Sequence, residues 1–206
     1  MSDNDLCCTM AIDLGKTRNH TAMVVLERRY QAATVADFIA SGTRGFGGEF
    51  RYTVVKAERL ALGTPFPAVV EWVKRSAQEF GETLRTIVVD ASGLGSVVMD
   101  ELRRAQIGVS LVGVVSTGEQ SMPGGGRTAG GFRTVARAEL LMKLQVAVQG
   151  ERFEVDVPRC REWEVLRREL TEVRLEGGRR KGGKVQDDLA MALALAVWWG
   201  MQRSGG

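Results

Sequence analysis

Thr86-Ile-Val-Val-Asp90 is a β-branched run that stops on an aspartate, and Ala91-Ser-Gly-Leu-Gly95 follows it directly. No polar residue interrupts Ile87 to Val89, the pattern of a strand covered on both faces rather than one alternating between core and water. Beyond the glycines, Val97 to Ala105 returns to helical spacing, so the segment reads as strand, loop, helix. That unit belongs to α/β architectures, whose functional groups collect at the carboxyl ends of strands. Asp90 stands at such an end.

Working outward, Leu6 to Ile12 is a second apolar run closed by Asp13-Leu14-Gly15, and Thr21 to Glu27 resumes the apolar character after a polar break. Two strands joined by a tight turn are predicted. Ala33 to Ala40 and Phe50 to Ala57 keep strand-like content around a glycine-rich bend, Gly42 to Gly48, which predicts a third strand or a further hairpin. From Ala68 to Phe80, Val69, Val70, Val73, Ala77 and Phe80 recur at helical spacing with charges opposite, an amphipathic helix. Val109 to Val115 reads as another buried strand, and Ser116 to Gly131, rich in glycine, serine and threonine, as a long mobile loop. Helices are expected over Thr134 to Val148, Cys160 to Thr171 and Asp187 to Met201. A short strand at Arg152 to Asp156 and a basic, hairpin-like piece at Arg174 to Lys184 separate them. The expectation is one domain over 1–206, with a core of about 9–201.

Composition narrows the function classes. The 44% hydrophobic and 26% charged residues are those of a globular chain, and the net charge of +3 is too mild to announce a nucleic-acid binder by itself. Any such argument rests on where the charges cluster. Cys7, Cys8 and Cys160 form no CxxC pair and no even-numbered framework, so they read as free thiols of a reducing compartment, and the expected location is cytoplasmic. The N-terminus lacks the pattern of a signal peptide, and no apolar run reaches the ~20 residues of a spanning helix, so no membrane association is expected.

Three acidic positions sit where an apolar element meets a loop: Asp13, Asp90, and the pair Asp187-Asp188 opening the last helix. A single carboxylate at a strand end is usually a turn former or a cap. Several gathered together repel one another and favour a divalent cation. A hard oxygen donor set without cysteine or paired histidine suits Mg²⁺ or Mn²⁺ better than zinc. Two such ions serve phosphodiester hydrolysis, a reaction that asks the protein mainly for carboxylates and basic groups. The basic groups are present. Arg174 to Lys184 holds five basic residues and four glycines directly before Asp187, with Arg179, Arg180, Lys181 and Lys184 as phosphate contacts. Lys16, Arg127, Arg133 and Arg137 extend the same expected surface. Gly15-Lys16-Thr17 is not a phosphate-binding loop for ATP, because that pattern needs glycine where this chain has Met10. His20, the one histidine, reads as a turn residue.

Three motifs together resemble the C-terminal nuclease domain of viral large terminase subunits, the motors of tailed bacteriophages that package DNA and cut it to length. They are Ala11-Ile-Asp13-Leu-Gly-Lys-Thr17, Ile87-Val-Val-Asp90-Ala-Ser-Gly-Leu-Gly95, and Gly183-Lys-Val-Gln-Asp187-Asp188-Leu-Ala-Met-Ala-Leu-Ala-Leu-Ala196. The resemblance extends from about Thr9 to Trp199 and includes Ala138-Glu-Leu-Leu-Met-Lys-Leu144 and Leu166-Arg-Arg-Glu-Leu170. It implies an RNase H-like fold with a central mixed β-sheet flanked by helices on both faces. It further implies a DNA endonuclease in which Asp13, Asp90, Asp187 and Asp188 hold two Mg²⁺ or Mn²⁺ ions. The implied partners are double-stranded DNA and, in packaging, an ATPase, a small terminase subunit and a portal, in a bacterial host cell. Gln186 stands where such terminases commonly have histidine, and the ATPase domain that normally precedes the nuclease is not in this sequence. Three other readings compete. A Holliday-junction resolvase shares the fold but usually has glutamate where this chain has Asp90. An actin-like ATPase needs two such domains around its nucleotide. A non-catalytic DNA-binding module would have no need to keep every acidic position.

Overall fold

The computed structural model describes residues 6–15, 19–32, 49–93, 95–118, 126, 128, 130–150, 152–173 and 186–202. Seven strands form one mixed sheet: β1 (Cys7–Asp13), β2 (Ala22–Gln31), β3 (Glu49–Arg59), β4 (Leu84–Asp90), β5 (Ser110–Thr117), β6 (Arg133–Ala136) and β7 (Phe153–Val155). Their order across the sheet is β6-β5-β4-β1-β2-β3-β7. The strands β1, β2 and β3 pair antiparallel as a meander, whereas β1, β4, β5 and β6 run parallel, and so do β3 and β7. Connections between parallel strands need a crossover, and the chain supplies one from β3 across to β4 in α1 (Phe66–Phe80) and another from β4 to its neighbour β5 in α2 (Gly95–Arg104).

Side chains alternate through the sheet, so each strand feeds two cores. Met10 and Ile12 of β1, Met23 and Val25 of β2, and Ile87 and Val89 of β4 pack with Val69 and Val73 of α1 and Val98, Met99 and Leu102 of α2. Ala11, Ala22, Val24, Leu26 and Val88 face the other way. They meet α3 (Arg137–Gln149), α4 (Trp163–Glu172) and α5 (Asp188–Gln202). Helix α5 is buried on almost every side from Asp188 to Trp198. Its alanines let it lie close to β1 and β2 on one side and α3 on the other, which explains an apolar stretch too short to span a membrane. No helix among the described residues is long and apolar enough to cross one. The architecture is therefore α/β, a central mixed sheet with helices on both faces.

Three expected elements differ. Thr134 to Val148 was expected as a single helix, yet Arg133–Ala136 is strand β6 and the helix begins at Arg137. The free edge of β5 offers a ladder to the β-branched Thr134 and Val135, and tertiary pairing overrides the local helical pattern. Strand β5 was expected to be buried, but of its residues only Gly113 and Val114 are. Within the loop expected over Ser116 to Gly131, Thr128 is tied to the residues after it, the Gly131 N–H donating to the Thr128 carbonyl at 2.9 Å and the Thr128 N–H to the Phe132 carbonyl at 2.8 Å. The stretch expected as a strand over Ala33 to Ala40 and the basic piece at Arg174 to Lys184 lie outside the described residues.

Candidate metal centre

The parallel pairing of β1 and β4 decides the centre of the site. Ile12 lies opposite Val89 in the register, so the next residues, Asp13 and Asp90, emerge side by side from the same end of the sheet. Each needs a glycine to turn the chain away. A Cβ on Gly15 would stand 2.2 Å from the Asn19 carbonyl oxygen, and one on Gly95 would stand 2.2 Å from the carbonyl oxygen of Asp90 itself. The Asp-Leu-Gly and Asp-Ala-Ser-Gly-Leu-Gly motifs are thus backbone requirements of the two turns that carry the aspartates. Asp90 also shapes its own loop, its Oδ1 accepting the Ser92 N–H at 2.8 Å, while Ser92 Oγ accepts the Ser116 N–H of β5 at 3.1 Å.

The third acidic segment arrives from the start of α5. The Asp187 carbonyl accepts the Met191 N–H at 2.8 Å, the first bond of the helix, and Asp188 is the first helical residue. Negative charge at a helix N-terminus is favoured by the exposed amide dipoles. Asp188 is only 1% exposed, and its Oδ2 accepts the backbone N–H of His20 at 3.0 Å. Asp187 is paired with the guanidinium of Arg137, the first residue of α3.

These carboxylates act on one another. Asp13 is held well above the ordinary aspartate range, first by burial and then by the charges of Asp90, Asp188 and Asp187, with Arg137 offsetting part of the effect. Asp188 is also raised, mainly by burial, with Asp187 adding to the shift and the His20 N–H opposing it. Such a cluster is unfavourable while bare and stabilised by added positive charge.

Among the described residues, no three His, Cys, Asp or Glu side chains stand close enough together to form a ready cage for an ion. Ser92, His20 and Arg137 hold Asp90, Asp188 and Asp187 on separate partners. The donor set still fits a hard divalent cation: all oxygen, mutually repelling, and including a nearly inaccessible carboxylate with one backbone donor.

Three residues around the cluster have parts that the sequence did not assign them. Glu169 of α4 is 3% exposed and accepts the Ala190 N–H at 2.9 Å, satisfying one of the amides left open in the first turn of α5. Burial lifts its carboxyl to about 7, with the charge of Asp188 adding and Arg59, 3.8 Å away, subtracting. The one available signal was its spacing, three residues after Leu166 on the buried face of α4. His20, expected as a turn residue, ties Asp188 to the β1–β2 turn and places its Nδ1 2.8 Å from the Leu60 carbonyl. Arg137, expected among DNA contacts, sits on Asp187.

Of the expected phosphate contacts, Lys16, Arg127, Arg179, Arg180, Lys181 and Lys184 lie outside the described residues. Arg133 is described. It points toward the last turn of α5, bonding Gln202 Oε1 at 3.2 Å and stacking over the Trp199 ring at 5.0 Å.

This is the RNase H-like fold as it occurs in the nuclease domains of viral terminases. The chain superposes on the human cytomegalovirus terminase nuclease domain, solved after a manganese soak, with a TM-score of 0.55 and 10% identity, over 94% of this chain and 83% of that one. For the large terminase nuclease of thermophilic phage G20c the TM-score is 0.54 at 18% identity, covering 93% and 81%. A variant nuclease domain of the large terminase subunit of bacterial virus Sf6, solved with manganese and beta-thujaplicinol, gives 0.59 at 15% identity, covering 93% and 87%. At these identities the likeness is one of fold. No family model matches the sequence, and no curated protein matches it.

Proposed function

We propose that this chain is a metal-dependent endonuclease that hydrolyses DNA phosphodiester bonds, of the kind that cuts viral DNA during packaging. The observation that carries the reading is the charge repulsion that Asp13 feels from Asp90, Asp188 and Asp187, residues of three distant segments, in a fold shared with terminase nucleases. Two solved proteins of that fold were obtained with manganese. In this reading the four aspartates hold two Mg²⁺ or Mn²⁺ ions. Bound there, the ions supply Lewis-acid chemistry to the scissile phosphate and to the attacking water.

The remaining work falls to the chain's own groups. Glu169 and the His20 N–H fix the start of α5, so Asp188 is presented from a rigid mount. Arg137 neutralises Asp187 beside the cluster, and its side chain, about one-third exposed, is also open to a phosphate. Lys16, Arg127, Arg179, Arg180, Lys181 and Lys184 are proposed to grip the DNA backbone without reading sequence. In packaging, an ATPase, a small terminase subunit and a portal would deliver the DNA.

The test is cleavage of supercoiled plasmid with Mn²⁺, Mg²⁺ or EDTA, beside a synthetic four-way junction and an ATPase assay. Metal-dependent nicking or linearisation that Asp13→Asn abolishes is expected. Preference for the junction would move the protein to the resolvases, ATP hydrolysis to the actin-like ATPases, and metal-independent DNA binding alone to the non-catalytic modules.

A further inference from the structure

A cavity of about 560 Å³ opens at the end of the sheet opposite the carboxylates, lined by Arg85, Ser110, Arg133, Trp199 and Gln202. Arg85 and Ser110 stand at the starting ends of β4 and β5, whereas Asp13 and Asp90 finish β1 and β4. Trp199 and Gln202 lie in the last turn of α5, about 20 Å along the helix from Asp188 at 1.5 Å per residue. The cavity is therefore separate from the carboxylate cluster.

Its chemistry is one-sided. No described lining residue is acidic, and two are arginines. The Arg133 guanidinium lies 5.0 Å from the centre of the Trp199 ring and donates to Gln202 Oε1 at 3.2 Å. That bond occupies the acceptor of the Gln202 amide and leaves its Nε2 a donor. Gln202 Nε2 and Trp199 Nε1 are closed to solvent and lie behind the cavity wall rather than on it. Arg85 is exposed, with no salt bridge or hydrogen bond to a described residue, and the Ser110 hydroxyl adds another donor. Two guanidinium groups and a hydroxyl around one space, with no carboxylate among the described lining residues, are complementary to an oxyanion.

We propose that this cavity is a phosphate-binding site, taking a phosphate group through Arg85 and Arg133 with the Ser110 hydroxyl as a neutral donor. Its volume is in the range of small-molecule sites, enough for a phosphate together with part of the group that bears it. The ring of Trp199, already stacked under Arg133, forms one wall.

The test uses the whole chain labelled with ¹⁵N-tryptophan. Inorganic phosphate is titrated at constant ionic strength against sodium chloride, and the indole N–H of Trp199, assigned with Trp199→Phe, is followed. A saturable shift of that signal is expected, with those of Trp72 and Trp163 unmoved. Arg85→Gln, at an exposed position that makes no salt bridge or hydrogen bond to a described residue, should weaken phosphate at least threefold, and a further Arg133→Gln should abolish the response. A Trp199 signal that does not respond up to tens of millimolar phosphate, or an Arg85→Gln protein that titrates like its parent, would overturn the proposal. A single-stranded oligonucleotide added to the phosphate-bound protein separates the sources. Competition identifies a nucleic-acid backbone, and its absence a free phosphate-bearing small molecule, and either keeps the site. The inference stands apart from the nuclease reading: Asp13→Asn should bind phosphate here as the parent does, whether or not the parent cuts DNA.

Discussion

Replacing Glu169 by glutamine should stabilise the protein at alkaline pH and leave it unchanged in acid. The carboxyl is 3% exposed and lifted from an ordinary 4.5 to about 7, so the fold holds its proton more tightly than the unfolded chain does. Below pH 4.5 both states are protonated and the fold suffers no penalty. Between 4.5 and 7 the unfolded chain ionises first, and stability falls as the pH rises. Above 7 both are ionised and the full cost of a buried charge is present. That displacement corresponds to about 3 kcal/mol, at roughly 1.4 kcal/mol per tenfold change in proton affinity. Glutamine keeps the oxygen that accepts the Ala190 N–H and removes the charge. It also gives up the attraction of Arg59, which the raised value already includes, so 3 kcal/mol is an upper bound. For a chain of this size that is a rise of roughly 6–12 °C in Tm. Thermal melts in EDTA at pH 5, 6, 7 and 8 would show the two proteins diverging as the pH rises. A difference constant across that range, or a variant less stable at pH 8, would refute the argument.

Asp13→Asn should abolish Mn²⁺-dependent plasmid cleavage while raising the melting temperature of the metal-free protein, since it removes the carboxyl most strained by burial and by its acidic neighbours; a melt in EDTA beside the nicking assay checks both. Gly95→Ala should cost roughly 1–3 kcal/mol in urea unfolding, because its methyl would overlap the Asp90 carbonyl, and cleavage should fall further than stability alone explains. Replacing Arg179, Arg180, Lys181 and Lys184 together with alanine should flatten the salt dependence of DNA binding, by roughly one unit of slope for each phosphate no longer gripped, while calorimetric Mn²⁺ binding persists.

Much of this arrangement is legible in the amino-acid sequence. The β-branched run ending at Asp90 and the apolar run ending at Asp13 sit side by side in parallel pairing, as interior strands with acidic ends should. The helix opened by Asp188 follows from its continuous alanine and leucine content. Strand β6 was not legible. Thr134 and Val135 suit a strand only because β5 presents an open edge, and sequence periodicity carries no record of a neighbour's edge. Glu169 was equally hidden, since one acid in a charged helix looks solvated until the fold sets it against the first turn of α5. The pairing of Arg137 with Asp187 and the gathering of Arg85, Arg133 and Trp199 are likewise products of tertiary structure.

The order of the acidic segments along the chain bears on biosynthesis. Asp13 and Asp90 are separated by 77 residues (90 − 13), and Asp90 and Asp187 by 97 (187 − 90). The first two become neighbours only through a long-range parallel ladder, which is among the slower events in folding. The last pair is set only when α5 packs against β1 and β2. A nascent chain therefore carries its carboxylates far apart until the whole sheet has closed, and a chain interrupted before residue 187 never brings them together. Docking of α5 and assembly of the cluster are a single event, so a chain without α5 does not present the cluster.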